Sequence, residues 1–311
     1  MPIDAAIAPL LERVNAKPPP GTPPPTLTDQ RAGIHRLAAI VAPEPPIEVY
    51  SVVDSTIPGP AGDVPVRTYR ATSEPTATVV YFHGGGWMTG DLDSHDFLVR
   101  KLVQETGLVF VAVDYRLAPE NPFPAGLDDC VAAATWVDDH AEEYGGIRGQ
   151  MAVAGDSAGG NLAAVVARKF RDGNRQLSAQ LLLYPVIDSA GDYPSRHEYS
   201  DGYLVTVEDI AVSAQVYLGD NPTQVTTEDV APIRATNLSG LAPAVIGVAD
   251  ADPLRDEGLA YAQALAAAGV DVFAGDYEGM IHTFAAMFAI SERADRALTE
   301  LLGQFLKRVT A

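Results

Sequence analysis

The chain has 311 residues, of which 47% are apolar, so it is long enough to bury a sizeable core as one large α/β domain or two small ones. This composition excludes disorder over the whole chain. The formal net charge is −20 at pH 7, which repels the phosphates of nucleic acids and anionic lipid surfaces. We therefore expect no nucleic-acid partner and no membrane partner.

The cysteine content and the distribution of apolar residues indicate the compartment. Cys130 is the single cysteine of the sequence, so no intrachain disulfide can form. Residues 1–10 lack the basic start and long apolar run of a signal peptide, and no stretch approaches 18 consecutive apolar residues. We therefore expect a cytoplasmic protein.

An N-terminal appendage precedes the first predicted strand. Two amphipathic stretches, residues 3–14 and 29–41, lie on either side of the proline-rich run PPPGTPPP at 18–25, which cannot be helical. We predict that residues 1–45 form an N-terminal appendage of helices.

The next part of the chain has the pattern of an α/β sheet. Extended segments at 47–54, 64–70 and 78–82 predict a strand meander that opens the sheet. Short apolar strands then alternate with helices, which is typical of a mostly parallel sheet covered on both faces. The predicted strands are 108–113, 151–154, 180–184, 244–249 and 270–277, and the predicted helices are 126–140, 158–171, 254–268 and 291–309.

One region interrupts this alternation. Residues 187–230 hold loops and a single predicted helix, 207–218, without a convincing strand. We interpret this region as an insertion that folds over the edge of the sheet together with the N-terminal helices, which leaves residues 46–186 and 231–311 as the two parts of the α/β core.

The strongest chemical signal is the motif Gly-Asp-Ser-Ala-Gly at 155–159, between an apolar strand and an apolar helix. That setting predicts a nucleophile elbow, a sharp turn whose flanking positions must lack bulk and whose serine lies at a helix N-terminus. Ser157 is the predicted nucleophile.

A serine hydroxyl needs a base, and the chain order in this fold is serine, acid, histidine. His197 and His282 are the two histidines that follow Ser157, and His197 precedes every strong acid candidate. His282, which comes after the last predicted strand, is therefore the predicted base.

The predicted acid is Asp252, on the loop after the strand 244–249, in preference to Asp250. Asp252 would hold the imidazole in the tautomer that accepts the serine proton. Because Pro253 fits the first position of a helix, Asp252 also has the pattern of a helix N-cap. A carboxylate has room for both contacts, one on each oxygen.

The predicted oxyanion hole uses backbone N–H groups near the motif His-Gly-Gly-Gly-Trp at 83–87. Gly85 and Gly86 would supply two donors, and Ala158 the third. His83 is expected to brace this loop rather than to titrate. The spacing of the glycines does not fit a phosphate-binding loop.

The motifs HGGGW, GDSAGG, YRLAPE at 115–120 and DPLRDE at 252–257 together resemble the bacterial hormone-sensitive-lipase family of carboxylesterases, over roughly residues 45–311. The resemblance implies an α/β-hydrolase fold with an eight-stranded, mostly parallel sheet and a helical cap. Residues 1–45 would be the N-terminal cap helices and residues 187–230 the cap insertion, with residues 46–186 and 231–311 as the two parts of the catalytic core. It implies the same triad and the same oxyanion donors. Thr283 departs from the family, which usually has glycine after the histidine.

The resemblance also implies the substrate class. We expect hydrolysis of small uncharged esters with short to medium acyl chains, through an acyl-enzyme on Ser157. We expect no cofactor and no metal, and a homodimer is one option for the assembly. The predicted substrate pocket contains Trp87, Tyr184, Leu204 and Ile281.

Two alternative functions remain open at this stage. An amide or N-acyl hydrolase would use the same three residues. A catalytically silent ligand receptor on this fold, as the gibberellin receptors are, would lack the catalytic histidine, and the presence of His282 argues against it.

Overall fold

The computed structural model describes residues 2–16 and 21–311, so residues 18–20 of the proline-rich run lie outside the described part. The strands within it are β1 Ser51–Gly59, β2 Gly62–Arg70, β3 Thr76–Phe82, β4 Val109–Val113, β5 Gly146–Asp156, β6 Gln180–Leu183, β7 Ala244–Ala251 and β8 Val272–Ile281. The α-helices are α1 Ala8–Val14, α2 Leu27–Val41, α3 Asp96–Thr106, α4 Ala125–Asp139, α5 Ala158–Asp172, α6 Pro194–Glu198, α7 Val207–Leu218, α8 Arg255–Ala267 and α9 Glu292–Val309.

The strands form one sheet in the order β1-β2-β4-β3-β5-β6-β7-β8. Strand β2 pairs antiparallel with β1 and with β4, and the pairs from β4 to β8 are parallel. The predicted eight-stranded, mostly parallel sheet is thereby confirmed.

The central strands are apolar on both sides because helices cover both faces of the sheet. Val80 and Phe82 of β3 face a core cluster that includes residues of α4, α5 and α8. Val79 and Tyr81 of the same strand face a second cluster, which includes residues of α3 and α9. This two-sided burial holds the carboxyl end of β3 rigidly in the sheet.

The predicted meander is wrong at its third strand. Strand β3 does not pair with β2, because β4 lies between them. The physical reason is α3, which the sequence analysis missed. A parallel pair such as β3 and β4 needs a crossover connection, usually a helix, and α3 supplies it with Leu98 and Leu102 buried at helical spacing.

The N-terminal region and the insertion contact each other. Asn15, the C-cap residue of α1, donates a hydrogen bond of 2.7 Å from its Nδ2 to the carbonyl of Gly202, in the loop before α7. Ile7 is fully buried in the cluster that also contains Ile281, the last residue of β8. No helix in residues 2–16 or 21–311 is long and apolar enough to cross a membrane.

Candidate active site

Ser157 lies in a sharp turn between β5 and α5, with φ 52° and ψ −117°. A non-glycine residue with positive φ is strained, at a cost of about 1–3 kcal/mol, and such strain clusters at functional sites. The turn presents the hydroxyl at the first turn of α5, where backbone N–H groups give partial positive charge.

The glycines around the serine are required by close backbone contacts. A Cβ at Gly155 would lie 2.2 Å from the carbonyl oxygen of Gly159, and a Cβ at Gly159 would lie 2.0 Å from that of Phe82. Neither position has space for even a methyl group. The turn can therefore form in this place only with glycine at both positions.

Ser157, His282 and Asp252 form a chain of hydrogen bonds. The distance from His282 Nε2 to Ser157 Oγ is 2.9 Å, and that from His282 Nδ1 to Asp252 Oδ2 is 2.7 Å. Because a carboxylate only accepts, Nδ1 carries the proton, which leaves Nε2 of a neutral imidazole free to accept from the serine. Asp252 is fully buried and His282 is 2% exposed.

The second oxygen of Asp252 accepts the backbone N–H of Leu254, at 2.8 Å. The carboxylate thus divides its oxygens between the backbone and His282. The N-cap prediction for Asp252 is nevertheless wrong, because α8 begins at Arg255 with Leu254 as its N-cap residue. Pro253 occupies the turn that precedes the helix, and the bond to Leu254 closes this turn rather than the first helical turn.

The other candidate residues lie in different surroundings. The carboxylate of Asp250 accepts the N–H of Gly279 at 3.2 Å and faces Arg255 at 3.6 Å. His197 pairs with Asp192 at 2.6 Å, and its side chain is 74% exposed.

The predicted oxyanion loop follows β3 and lies beside the serine turn, because Phe82 pairs in register with Gly155. Three consecutive residues of this loop have positive φ: 117° at Gly85, 60° at Gly86 and 59° at Trp87. Glycine adopts such values freely, whereas Trp87 is strained. The third predicted donor, Ala158, is the first residue of α5.

The buried carboxylate of Asp156 connects the predicted oxyanion loop to the serine turn. The sequence analysis assigned no role to this residue of the motif. Asp156 Oδ1 accepts the N–H of Gly84 at 2.8 Å and the hydroxyl of Tyr81 at 2.5 Å. His95 Nε2 lies 3.6 Å from Asp156 Oδ2. The sequence signal was an acid at the carboxyl end of a buried strand, directly before the predicted nucleophile.

The ionisation of this cluster follows from burial and charge. Burial raises the pKa of Asp156, but attraction to His95 and hydrogen bonds from His95 and Tyr81 outweigh it, so the pKa lies below its ordinary value. Burial lowers the pKa of His83 to about 4, so this imidazole is neutral at pH 7. His83 Nδ1 lies 2.8 Å from the carbonyl oxygen of Gly84, and its ring stacks on Tyr115.

The four predicted pocket residues have different neighbours in the structure. The ring of Tyr184 meets that of His282 edge-on, with centroids 4.9 Å apart, and buried Ile281 directly precedes His282. Leu204 packs against the same core cluster as Ile281. Trp87 instead lies under the ring of Tyr217, with centroids 4.4 Å apart.

Thr283 keeps the backbone conformation that glycine would adopt, with φ 67°. A β-branched residue is strained there. Within the described residues, its buried hydroxyl has no hydrogen-bond partner. The described part of the chain also contains no group of three or more His, Cys, Asp or Glu side chains that could hold a metal ion.

Comparisons with known proteins agree with this geometry. The family described as alpha/beta hydrolase fold matches residues 79–286. The chain belongs to this family. The family match and the named relatives assign it to the hormone-sensitive-lipase-like branch.

Named relatives span most of the chain. It is 42% identical over 267 residues to the carboxylic ester hydrolase LipN of Mycobacterium tuberculosis, covering 84% of this chain and 71% of that protein. It is 38% identical to an ethyl acetate hydrolase of Pseudomonas putida, covering 76% of each. The solved structure of a hyperthermophilic esterase from Pyrobaculum calidifontis superposes with a TM-score of 0.91 at 35% identity, covering 100% of both chains.

The Asp156 cluster predicts a pH-dependent effect on stability. Asp156→Asn should lower the free energy of unfolding at pH 7 by on the order of 1–3 kcal/mol, because the hydrogen bonds to a charged acceptor are lost. Since the folded-state pKa lies below the ordinary one, the ionised group stabilises the fold above its unfolded pKa and loses this effect as pH falls through the folded value. Urea unfolding at pH 7 and pH 3.5 should therefore give a smaller difference in the free energy of unfolding between wild type and Asp156→Asn at the lower pH.

Asp192→Asn is the matched control, because that carboxylate is 87% exposed and its loss should change stability little at either pH. A difference between wild type and Asp156→Asn that stays constant or grows on acidification would contradict the assignment.

Proposed function

We propose that the protein is a serine carboxylesterase that hydrolyses carboxylic esters through an acyl-enzyme on Ser157. The observation that carries this proposal is the hydrogen-bonded chain from Ser157 Oγ through His282 to Asp252, with contacts of 2.9 and 2.7 Å. The same arrangement of nucleophile, base and orienting carboxylate performs acyl transfer on unrelated folds. The relatives named as ester hydrolases support it.

Acylation begins when Ser157 Oγ attacks the carbonyl carbon of the ester and its proton passes to His282 Nε2. The carbonyl oxygen becomes an oxyanion, and the backbone N–H groups of Gly85, Gly86 and Ala158 are the proposed donors to it. Collapse of the tetrahedral intermediate breaks the bond to the alcohol, which leaves with the proton from His282.

Deacylation repeats these steps with water. His282 accepts a proton from the water while the water oxygen attacks the acyl carbon. Collapse of this second tetrahedral intermediate breaks the bond to Ser157 Oγ, which recovers the proton from His282. Asp252 stabilises the imidazolium in both halves. Its two hydrogen bonds, to His282 and to Leu254, leave the carboxylate little freedom to turn away.

The proposed substrates are uncharged esters with short to medium acyl chains. Tyr184 and Ile281 adjoin His282 and are both buried, so an aromatic ring and an aliphatic side chain cover the imidazole on that side. Leu204 and Trp87 belong to the same proposed pocket. The Pseudomonas putida relative is named for ethyl acetate, a short ester.

We also assign residues 1–45 and 187–230 to a cap over the site, with residues 46–186 and 231–311 as the two parts of the core. Arg31 of α2 supports this assignment, because it donates to the carbonyl of Met88, just after the oxyanion loop, and pairs with Glu120. The contact between Asn15 and Gly202 ties the two regions to each other. The homodimer stays a prediction.

Loss of the nucleophile tests the proposed function. Ser157→Ala should reduce turnover of a p-nitrophenyl ester on the order of a millionfold, because no acyl-enzyme can form. A fluorophosphonate probe should add mass to a peptide containing Ser157 in the wild type and to none in the variant. Retention of more than a few per cent of the ester activity by Ser157→Ala would contradict the assignment. An anilide, measured alongside, serves as the amide analogue.

Variants of the two neighbouring aspartates, Asp250 and Asp252, identify the triad acid. Asp252→Asn should lose on the order of ten-thousandfold in turnover, because an amide favours the wrong imidazole tautomer. Asp250→Asn is the matched control, since its carboxylate contacts Gly279 and Arg255 rather than His282. Turnover of one ester by both variants decides the matter, and a larger loss at Asp250 would reassign the acid.

A further inference from the structure

The cap insertion contacts the proposed oxyanion loop at two consecutive residues. Trp87 and Tyr217 of α7 stack with ring centroids 4.4 Å apart and an angle of 6° between the rings. One turn earlier on α7, Ser213 lies against Gly86, because a Cβ at Gly86 would fall 2.6 Å from Ser213 Oγ. Positions 213 and 217 share one helix face. That face of α7 therefore packs directly on the loop.

The contacted loop residues have backbone conformations that need support. Trp87 has φ 59° although it is not glycine, and it follows two glycines with positive φ. A strained residue of this kind persists only where its surroundings over-determine it. The carbonyl of Trp87 accepts the N–H of Ala118 at 2.9 Å, and Tyr217 covers its ring.

Tyr217 is itself fixed in place. Its carbonyl accepts the N–H of Phe123 at 2.7 Å, and the edge of its ring meets the ring of Phe123 at 5.6 Å and 77°. Its side chain is 2% exposed. Within the described residues, neither the Tyr217 hydroxyl nor the Trp87 Nε1 has a hydrogen-bond partner, so the contact consists of ring against ring.

We propose that Tyr217 is a positioning residue for the oxyanion hole: by stacking on Trp87 it holds the loop in the conformation that directs the N–H groups of Gly85 and Gly86 at the developing oxyanion. This inference rests on the proposed esterase function. It makes the insertion a part of the catalytic apparatus as well as a cover. Preorganised donors act in the transition state, so loosening them should lower kcat with little change in KM.

The test compares Tyr217→Leu with Tyr217→Phe on a p-nitrophenyl ester, with sites counted by fluorophosphonate labelling to completion. Tyr217→Leu should lower kcat per labelled site on the order of ten- to a hundredfold, somewhat less than the loss of a whole donor. Its affinity for a trifluoromethyl ketone, which forms a tetrahedral adduct, should fall with kcat/KM. The acid limb of the pH profile should not move. Tyr217→Phe keeps the stacked ring and should therefore retain the wild-type kcat.

Tyr261→Leu is the matched control, because Tyr261 is also fully buried in the same core cluster but lies on α8. It should lower thermal stability and leave kcat per labelled site unchanged. Equal losses of kcat in Tyr261→Leu and Tyr217→Leu would overturn the inference. So would a Tyr217→Leu enzyme with wild-type kcat, or one whose ketone affinity is unchanged.

A second pair of variants, Ser213→Leu and Val212→Leu, tests the inference if Tyr217→Leu does not fold. Ser213→Leu adds bulk where α7 meets Gly86 and should lower kcat about tenfold. Val212→Leu adds bulk on a side chain that is 43% exposed and should leave kcat unchanged. Equal kcat in both variants would contradict the inference. A wild-type enzyme without ester hydrolysis would instead contradict the proposed function itself.

Discussion

The active site depends on the parallel pairing of β3 with β5, which sets Phe82 beside Gly155. Because parallel strands end at the same edge of a sheet, the loop that follows β3 and the turn that follows β5 leave the sheet side by side. Gly159 then packs on the carbonyl of Phe82 so closely that no Cβ fits between them. One backbone contact thus sets the distance between the proposed nucleophile, Ser157, and its proposed oxyanion donors.

The other half of the site comes from β7 and β8, and buried charge fixes its surroundings. Glu257, five residues after Asp252, accepts the N–H groups of Ile187 and Asp188 and pairs with Arg196 at 2.5 Å. Burial raises the pKa of Glu257 although Arg196 and these N–H groups oppose it. A buried pair of this kind adds little net stability. It does anchor residues 187 and 188 to α8, the helix that follows the proposed acid Asp252.

Much of this architecture could be predicted from the sequence, because its signals are local. The glycines around Ser157 and the alternating strands and helices are read within a few residues. The position of β4 between β2 and β3 is a long-range pairing, and α3 begins after His95, a residue that forms no side-chain cap.

The details of side-chain placement were less accessible. Pro253 is compatible with the first helical position and with a turn before the helix, and the structure uses the turn. Asp156 was visible in the motif, but its bond to Gly84 joins loops that are distant in the chain. The stack of Tyr217 on Trp87 is likewise a tertiary contact, which no local pattern indicates.

The central claim is that a neutral His282 accepts the proton of Ser157. The pH dependence of kcat/KM for an activated ester, measured from pH 5 to pH 9, tests it most directly, because the imidazole must be deprotonated in the free enzyme. The account predicts that kcat/KM falls on the acid side, by about tenfold per pH unit at the acid limit, because a protonated imidazole cannot accept the serine proton. A flat profile over this range, with chemistry limiting the rate, would contradict it.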